Sequence, residues 1–104
     1  MRQTLIIPWE ISKSDLNLGI RVNPNISALY NGRGLIKSDE GNIRGAIADF
    51  DRAIKLNPKN AAAYRNRGNA KYIINNRAGA ISDLNQSAKL FTQQGQAGAY
   101  EMIK

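Results

Sequence analysis

Apolar residues in the middle of the chain recur three and four apart instead of alternating. Ile43, Ala46, Ile47, Phe50, Ala53 and Ile54 form one stripe, the spacing of a helix buried along one face. Asn42 stands just before it, where its side-chain oxygen can accept from an exposed backbone N–H of the first turn. Pro58 follows the stripe and ends it, because proline lacks an N–H and clashes with a continuing turn. A second helical stretch reads from Ser27 to about Glu40, with Gly41 and Asn42 as the turn between the two.

The same pair of helices is written twice. Residues 27–60 laid over residues 61–94 agree at 12 positions, where roughly two are expected by chance. Among the identities are Tyr30 with Tyr64, Arg33 with Arg67, Gly34 with Gly68, Lys37 with Lys71 and Asn42 with Asn76. Ala46 with Ala80, Asp49 with Asp83 and Leu56 with Leu90 continue them. One period earlier, Ser14–Asn17 lies under Ala48–Asp51, and Pro24 under Pro58, so a half repeat leads. The units are therefore a half repeat over 9–26, full repeats over 27–60 and 61–94, and a C-terminal cap over 95–104, all in one domain over 1–104.

The spacing predicts five main helices, roughly 9–22, 27–40, 43–57, 61–74 and 77–92, with a short capping helix from about 97 after Gly95, Gln96 and Ala97 break the period. Tyr100 and Ile103 are expected to cover Leu84 and Ala88, since the end of a helical stack exposes an apolar side. Gly34 with Ala46, and Gly68 with Ala80, are expected to let paired helices approach closely, with Tyr30 and Tyr64 filling the wider end opposite Phe50 and Leu84.

These residues resemble the tetratricopeptide repeat. The family pattern is met by Tyr30, Arg33, Gly34, Lys37, Ala46, Phe50 and Pro58, then by Tyr64, Arg67, Gly68, Lys71, Ala80 and Leu84, with Thr92 in the place of the second proline. The resemblance implies an all-α, right-handed αα superhelix of antiparallel helix pairs. It implies no catalysis, and a concave groove lined by the first helix of each unit that holds a protein or peptide. Carried over residue by residue, the groove positions are Asn31, Leu35 and Ser38 in the first unit and Arg65, Asn66, Asn69, Tyr72 and Ile73 in the second. Some family members clamp the acidic tails of chaperones with residues spread over three first helices. Here only Arg65, Asn69 and Asn66 match that set, so the full clamp is not expected.

Composition narrows the functional classes. The 104 residues include no cysteine and no histidine, which removes the thiolate nucleophile, the usual general base and the commonest metal ligand. No cofactor, metal or catalytic residue is expected, and the adjacent Asp39 and Glu40 read as a solvated turn. The apolar run Leu5–Ile7 is cut by Pro8, too short for a signal-peptide core or a membrane span. A cytoplasmic location is expected.

Charge points to an acidic partner. The formal charge is +7, and no acid lies between Asp51 and Asp83, a stretch holding Arg52, Lys55, Lys59, Arg65, Arg67, Lys71 and Arg77. Arg65, Asn69 and Tyr72 share one helical face on which a guanidinium could fork onto a carboxylate. Nucleic-acid binding through the basic residues of 52–82 is the alternative, disfavoured by the lack of an aromatic-interleaved basic strand or a base-reading pattern. Arg33 and Arg67 point to the packed side, and a repeated Arg–Asp pairing with Asp49 and Asp83 is expected. The apolar Leu16 and Ile20 of the half repeat are expected to meet either the N-terminal segment or, by preference, another copy of the chain, giving a homodimer through the N-terminal end.

Overall fold

The computed structural model describes the backbone over residues 12–103 and side chains over residues 12–95. Among the described residues five helices follow in order: α1 (Lys13–Val22), α2 (Ser27–Asp39), α3 (Ile43–Leu56), α4 (Ala61–Ile73) and α5 (Arg77–Ile103). Successive helices pack on one another, and α2 also touches α4, so the first helices of the two units lie side by side. The fold is an all-α superhelix of helix pairs. No described helix is long and apolar enough to cross a membrane.

The starts of α1, α3, α4 and α5 are fixed by side chains. Asn42 accepts from Gly45 N at 3.0 Å, and Asn76 accepts from Gly79 N at 3.0 Å. Asn60 and Ser12 cap α4 and α1 in the same way, by bonds from Ala63 N and Asp15 N. The glycines three residues after Asn42 and Asn76 sit close under the capping side chains: a Cβ on Gly45 would lie 2.5 Å from the Asn42 side chain, and one on Gly79 2.6 Å from Asn76, whereas Asn60 caps α4 beside Ala63. The turns before these caps need a left-handed residue. Gly41 supplies it in the first unit at φ 85°, and Asn75 in the second at φ 71°, asparagine being one of the few L-residues that tolerate it. Asn42→Ala is expected to lower stability by about 1 kcal/mol, read as a lower denaturant midpoint at an unchanged slope.

The core lies between the pairs. Tyr30, Ala53 and Ala63 form one buried cluster, with Ile20, Ile54 and Leu56 around it. Ala46, Phe50 and Ala70 form another, with Ile43 and Ile47 around it. Alanines carry much of this contact, which lets helix axes approach and makes the few large side chains decisive. Gly34 approaches the Phe50 ring rather than Ala46: an added Cβ would lie 2.5 Å from Phe50 Cε1. Gly68 meets Leu84, the Asp83 side chain and the backbone carbonyl of Ala80. Tyr30 reaches past its cluster to donate its hydroxyl to Pro24 O at 2.9 Å.

One expectation is corrected. The C-terminal segment forms no separate capping helix: α5 continues through Gly95 to Ile103. The second unit has Thr92 where the first has Pro58, so nothing removes a backbone donor. A glycine costs only about 1 kcal/mol in a helix, and the neighbouring glutamines and alanines favour helix. The expected cover of Leu84 and Ala88 by Tyr100 and Ile103 falls outside the described side chains. At the other end, Leu16 is buried and Ile20 packs towards Tyr30. These two residues thus face inward, and the homodimer drawn from their exposure is not carried by them. The expected start of α1 at residue 9 and the segment Met1–Ile7 lie outside the described residues.

Candidate binding surface

An ion-pair lattice decides which cations can meet a ligand. Arg33 donates from Nε and Nη2 to the two carboxylate oxygens of Asp49 at 2.9 and 2.8 Å, and Arg67 does the same to Asp83 at 2.8 and 2.7 Å. Each arginine also reaches backwards to the preceding unit: Arg33 Nη1 to Asn17 Oδ1 at 3.0 Å, Arg67 Nη1 to Asp51 Oδ1 at 2.9 Å. Lys37 and Lys71 complete the two aspartates, at 3.2 and 3.1 Å. The expected Arg–Asp pairing is therefore present within units, and in the second unit also between them. Lys37 and Lys71 do more than pack their stems.

The electrostatics follow from this geometry. The hydrogen bond to Asp83 holds the Arg67 guanidinium more firmly charged than usual, against the opposing effect of burial, with Asp51 adding to it. Arg33 is raised likewise by its bond to Asp49. Burial alone would push the Asp83 carboxyl up, but hydrogen bonds from Arg67 and Lys71, reinforced by their charges, hold it below its ordinary value. Arg33, Lys37, Arg67 and Lys71 are thus committed to the scaffold. This thins the basic stretch that favoured nucleic acid.

The groove positions divide into two groups. Asn31 and Asn66 bond to each other, Asn66 Nδ2 donating to Asn31 Oδ1 at 2.9 Å, and Asn66 is buried. They tie α2 to α4 and are not free to read a ligand on their own. Leu35, Arg65, Asn69, Tyr72 and Ile73 are exposed, with Ser38 half-buried. Tyr72 and Ile73 keep 63% and 61% of their surface open to water, enough apolar area at one end of α4 to anchor an incoming chain.

Phe91 and Gln94 were not among the residues expected at this surface. The Arg65 guanidinium lies over the Phe91 ring, 5.5 Å from its centroid, and Gln94 Nε2 donates to Lys59 O at 3.2 Å. The end of the second repeat on α5 thus borders the groove beside Arg65. Only the interruption of the 34-residue period near Thr92 hinted at this.

Comparison with known proteins shows what the repeat is similar to. A family model described as TPR repeat matches residues 34–73, a span running from the second half of α2 through α3 into α4. Over that span the chain is similar to the tetratricopeptide repeat. Among solved structures, the crystal structure of MamA superposes with a TM-score of 0.75 at 20% identity, over 81% of this chain and 49% of that one. A second MamA structure gives 0.70 at 20% identity, over 81% and 46%. The second TPR of Spaghetti (RPAP3), bound to the HSP90 peptide SRMEEVD, gives 0.73 at 20% identity, over 75% and 72%. The chain thus spans about half the length of the MamA chains it resembles. No curated protein sequence matches it.

Proposed function

We propose that this tetratricopeptide module is a non-catalytic protein-interaction domain that binds an acidic peptide segment along the adjacent α2 and α4, and that it acts in the cytoplasm. The observation that carries the reading is the set of exposed residues on α4: a cation, Arg65, an amide, Asn69, and two open apolar groups, Tyr72 and Ile73. Leu35 and Ser38 extend the surface onto α2, and the Asn31–Asn66 bond fixes the distance between the helices. Arg65 has no carboxylate partner among the described ion pairs, so its donors remain for a ligand carboxylate. Binding of an HSP90 peptide by the Spaghetti domain makes that peptide a reasonable first probe.

The test is fluorescence anisotropy with labelled SRMEEVD, a glutamine-substituted version of it and a random oligonucleotide. The acidic peptide is expected to bind best, and Arg65→Ala to weaken it roughly tenfold, the loss of one charge-assisted bond, without changing the melting temperature. Equal binding of the acidic and neutral peptides would remove the acidic specificity. Preference for the oligonucleotide, with steep salt dependence, would move the function to the basic surface of residues 52–82.

A further inference from the structure

The groove along α2 and α4 has two ends of opposite charge. Because α3 turns the chain back between them, α2 and α4 run the same way, and their dipoles add, positive where the two helices begin and negative where they end. Arg65 stands near the start of α4, and Asp39 is the last residue of α2. The side-chain charges thus strengthen the field that the backbones set up. Asp39 lies one period before Ile73 and four residues after Leu35, so it shares the face of that exposed groove residue.

Asp39 does nothing for α2 itself. An acid at the C-terminal end of a helix opposes the dipole and weakens the helix. Its neighbour Glu40 is held by Lys13 at 3.1 Å, and Lys37 is held by Asp49 at 3.2 Å. Asp39 is exposed and takes part in none of the described ion pairs, so its carboxylate is open to a ligand cation. A unit before or after these two would lengthen the groove and leave this face open, because first helices line up side by side.

The spacing of the groove positions selects an extended ligand. Asn31 with Arg65, Leu35 with Asn69 and Asp39 with Ile73 form three levels, each four residues after the last and so about 6 Å apart along the helix axes. Two residues of an extended chain rise about 6.6 Å, and alternate side chains point to one side. An acid at Arg65, an apolar residue two places on over Leu35 and a base two places further at Asp39 therefore fall in register. The exposed Tyr72 and Ile73 offer apolar surface to the stem of that base while its charged head meets Asp39.

We propose that the groove selects an extended peptide with acidic, apolar and basic side chains at alternate positions, the acid at the Arg65 end and the base at the Asp39 end. This rests on the groove reading and adds a second charge to it. A segment with acids throughout meets Asp39 with like charge and is the poorer ligand.

The experiment measures anisotropy at low salt, where exposed charges are least screened, with three capped, serine-flanked peptides: Glu-Ser-Leu-Ser-Lys, its reverse Lys-Ser-Leu-Ser-Glu, and Glu-Ser-Leu-Ser-Glu. The better of the two dipolar peptides is expected to bind the wild type about fivefold more tightly than the doubly acidic one, the upper range for an exposed ion pair. Asp39→Lys should invert that order and leave the melting temperature unchanged or raised, since it removes the charge that opposes the dipole. Arg65→Ala should weaken all three peptides. Preference of the wild type for the doubly acidic peptide, or an unchanged order in Asp39→Lys while Arg65→Ala still weakens binding, overturns the dipolar groove and leaves the acidic-peptide reading standing. Indifference to both substitutions, or no binding of any of the three, overturns both.

Discussion

Phe50→Ala is expected to destabilise the protein by about 3 to 5 kcal/mol, and chemical denaturation should show the midpoint collapsing. The magnitude follows from where the ring lies. Phe50 is 1% exposed and is the only large side chain buried to that degree among the described residues. It packs with Ala46 and Ala70 and against the open side of Gly34. Its neighbours are too small to collapse into the space left behind, so the cavity persists and adds its cost to the lost transfer energy. Because α2, α3 and α4 all meet there, both repeats should unfold together. A control separates cavity from contact: Gly34→Ala alone forces a Cβ to within 2.5 Å of the ring and should cost about 1 to 3 kcal/mol as overpacking. In the Phe50→Leu background the same change should cost less. Additive effects of the two substitutions would show that Gly34 and Phe50 do not share a contact.

The repeat made this fold legible. A period of 34 with glycine, alanine and aromatic residues in register fixes which helices pair, and α2, α3 and α4 end within a residue of the bounds expected from Pro58, Gly41 and the capping asparagines. The Arg–Asp lattice was legible for the same reason, since both partners recur at one period. Contacts outside the period were not. The Asn31–Asn66 bond joins residues 35 apart and depends on how α2 and α4 lie side by side, which no local pattern encodes. Phe91 stands where the first unit has Asn57, so register alone gave it no partner. The run of α5 through Gly95 was missed because glycine was weighed as a break, when without a proline it only weakens a helix.

Removing the Asp83 carboxylate should be nearly as damaging as removing Phe50. Asp83→Ala is expected to cost about 3 kcal/mol or more, because breaking a buried ion pair strands the remaining charge. Here two cations are stranded, Arg67 and Lys71, both bonded to one carboxylate whose side chain is 5% exposed. Arg67 would keep Asp51 as a partner, but Asp51 is 55% exposed and screened by water. The same geometry sets an acid limb of stability. The Asp83 carboxyl titrates below its ordinary value in the folded state, so the unfolded chain binds the proton more readily. Its contribution is complete above the unfolded aspartate pKa and is lost as pH falls through the lower folded value. Melting temperature measured against pH should therefore drop through the acid range in the wild type and drop less in a variant that replaces the cluster by apolar residues, Arg67→Met with Asp83→Leu, which leaves no charge stranded there except Lys71. Parallel acid limbs in the two proteins would mean that Asp83 is not the group that titrates.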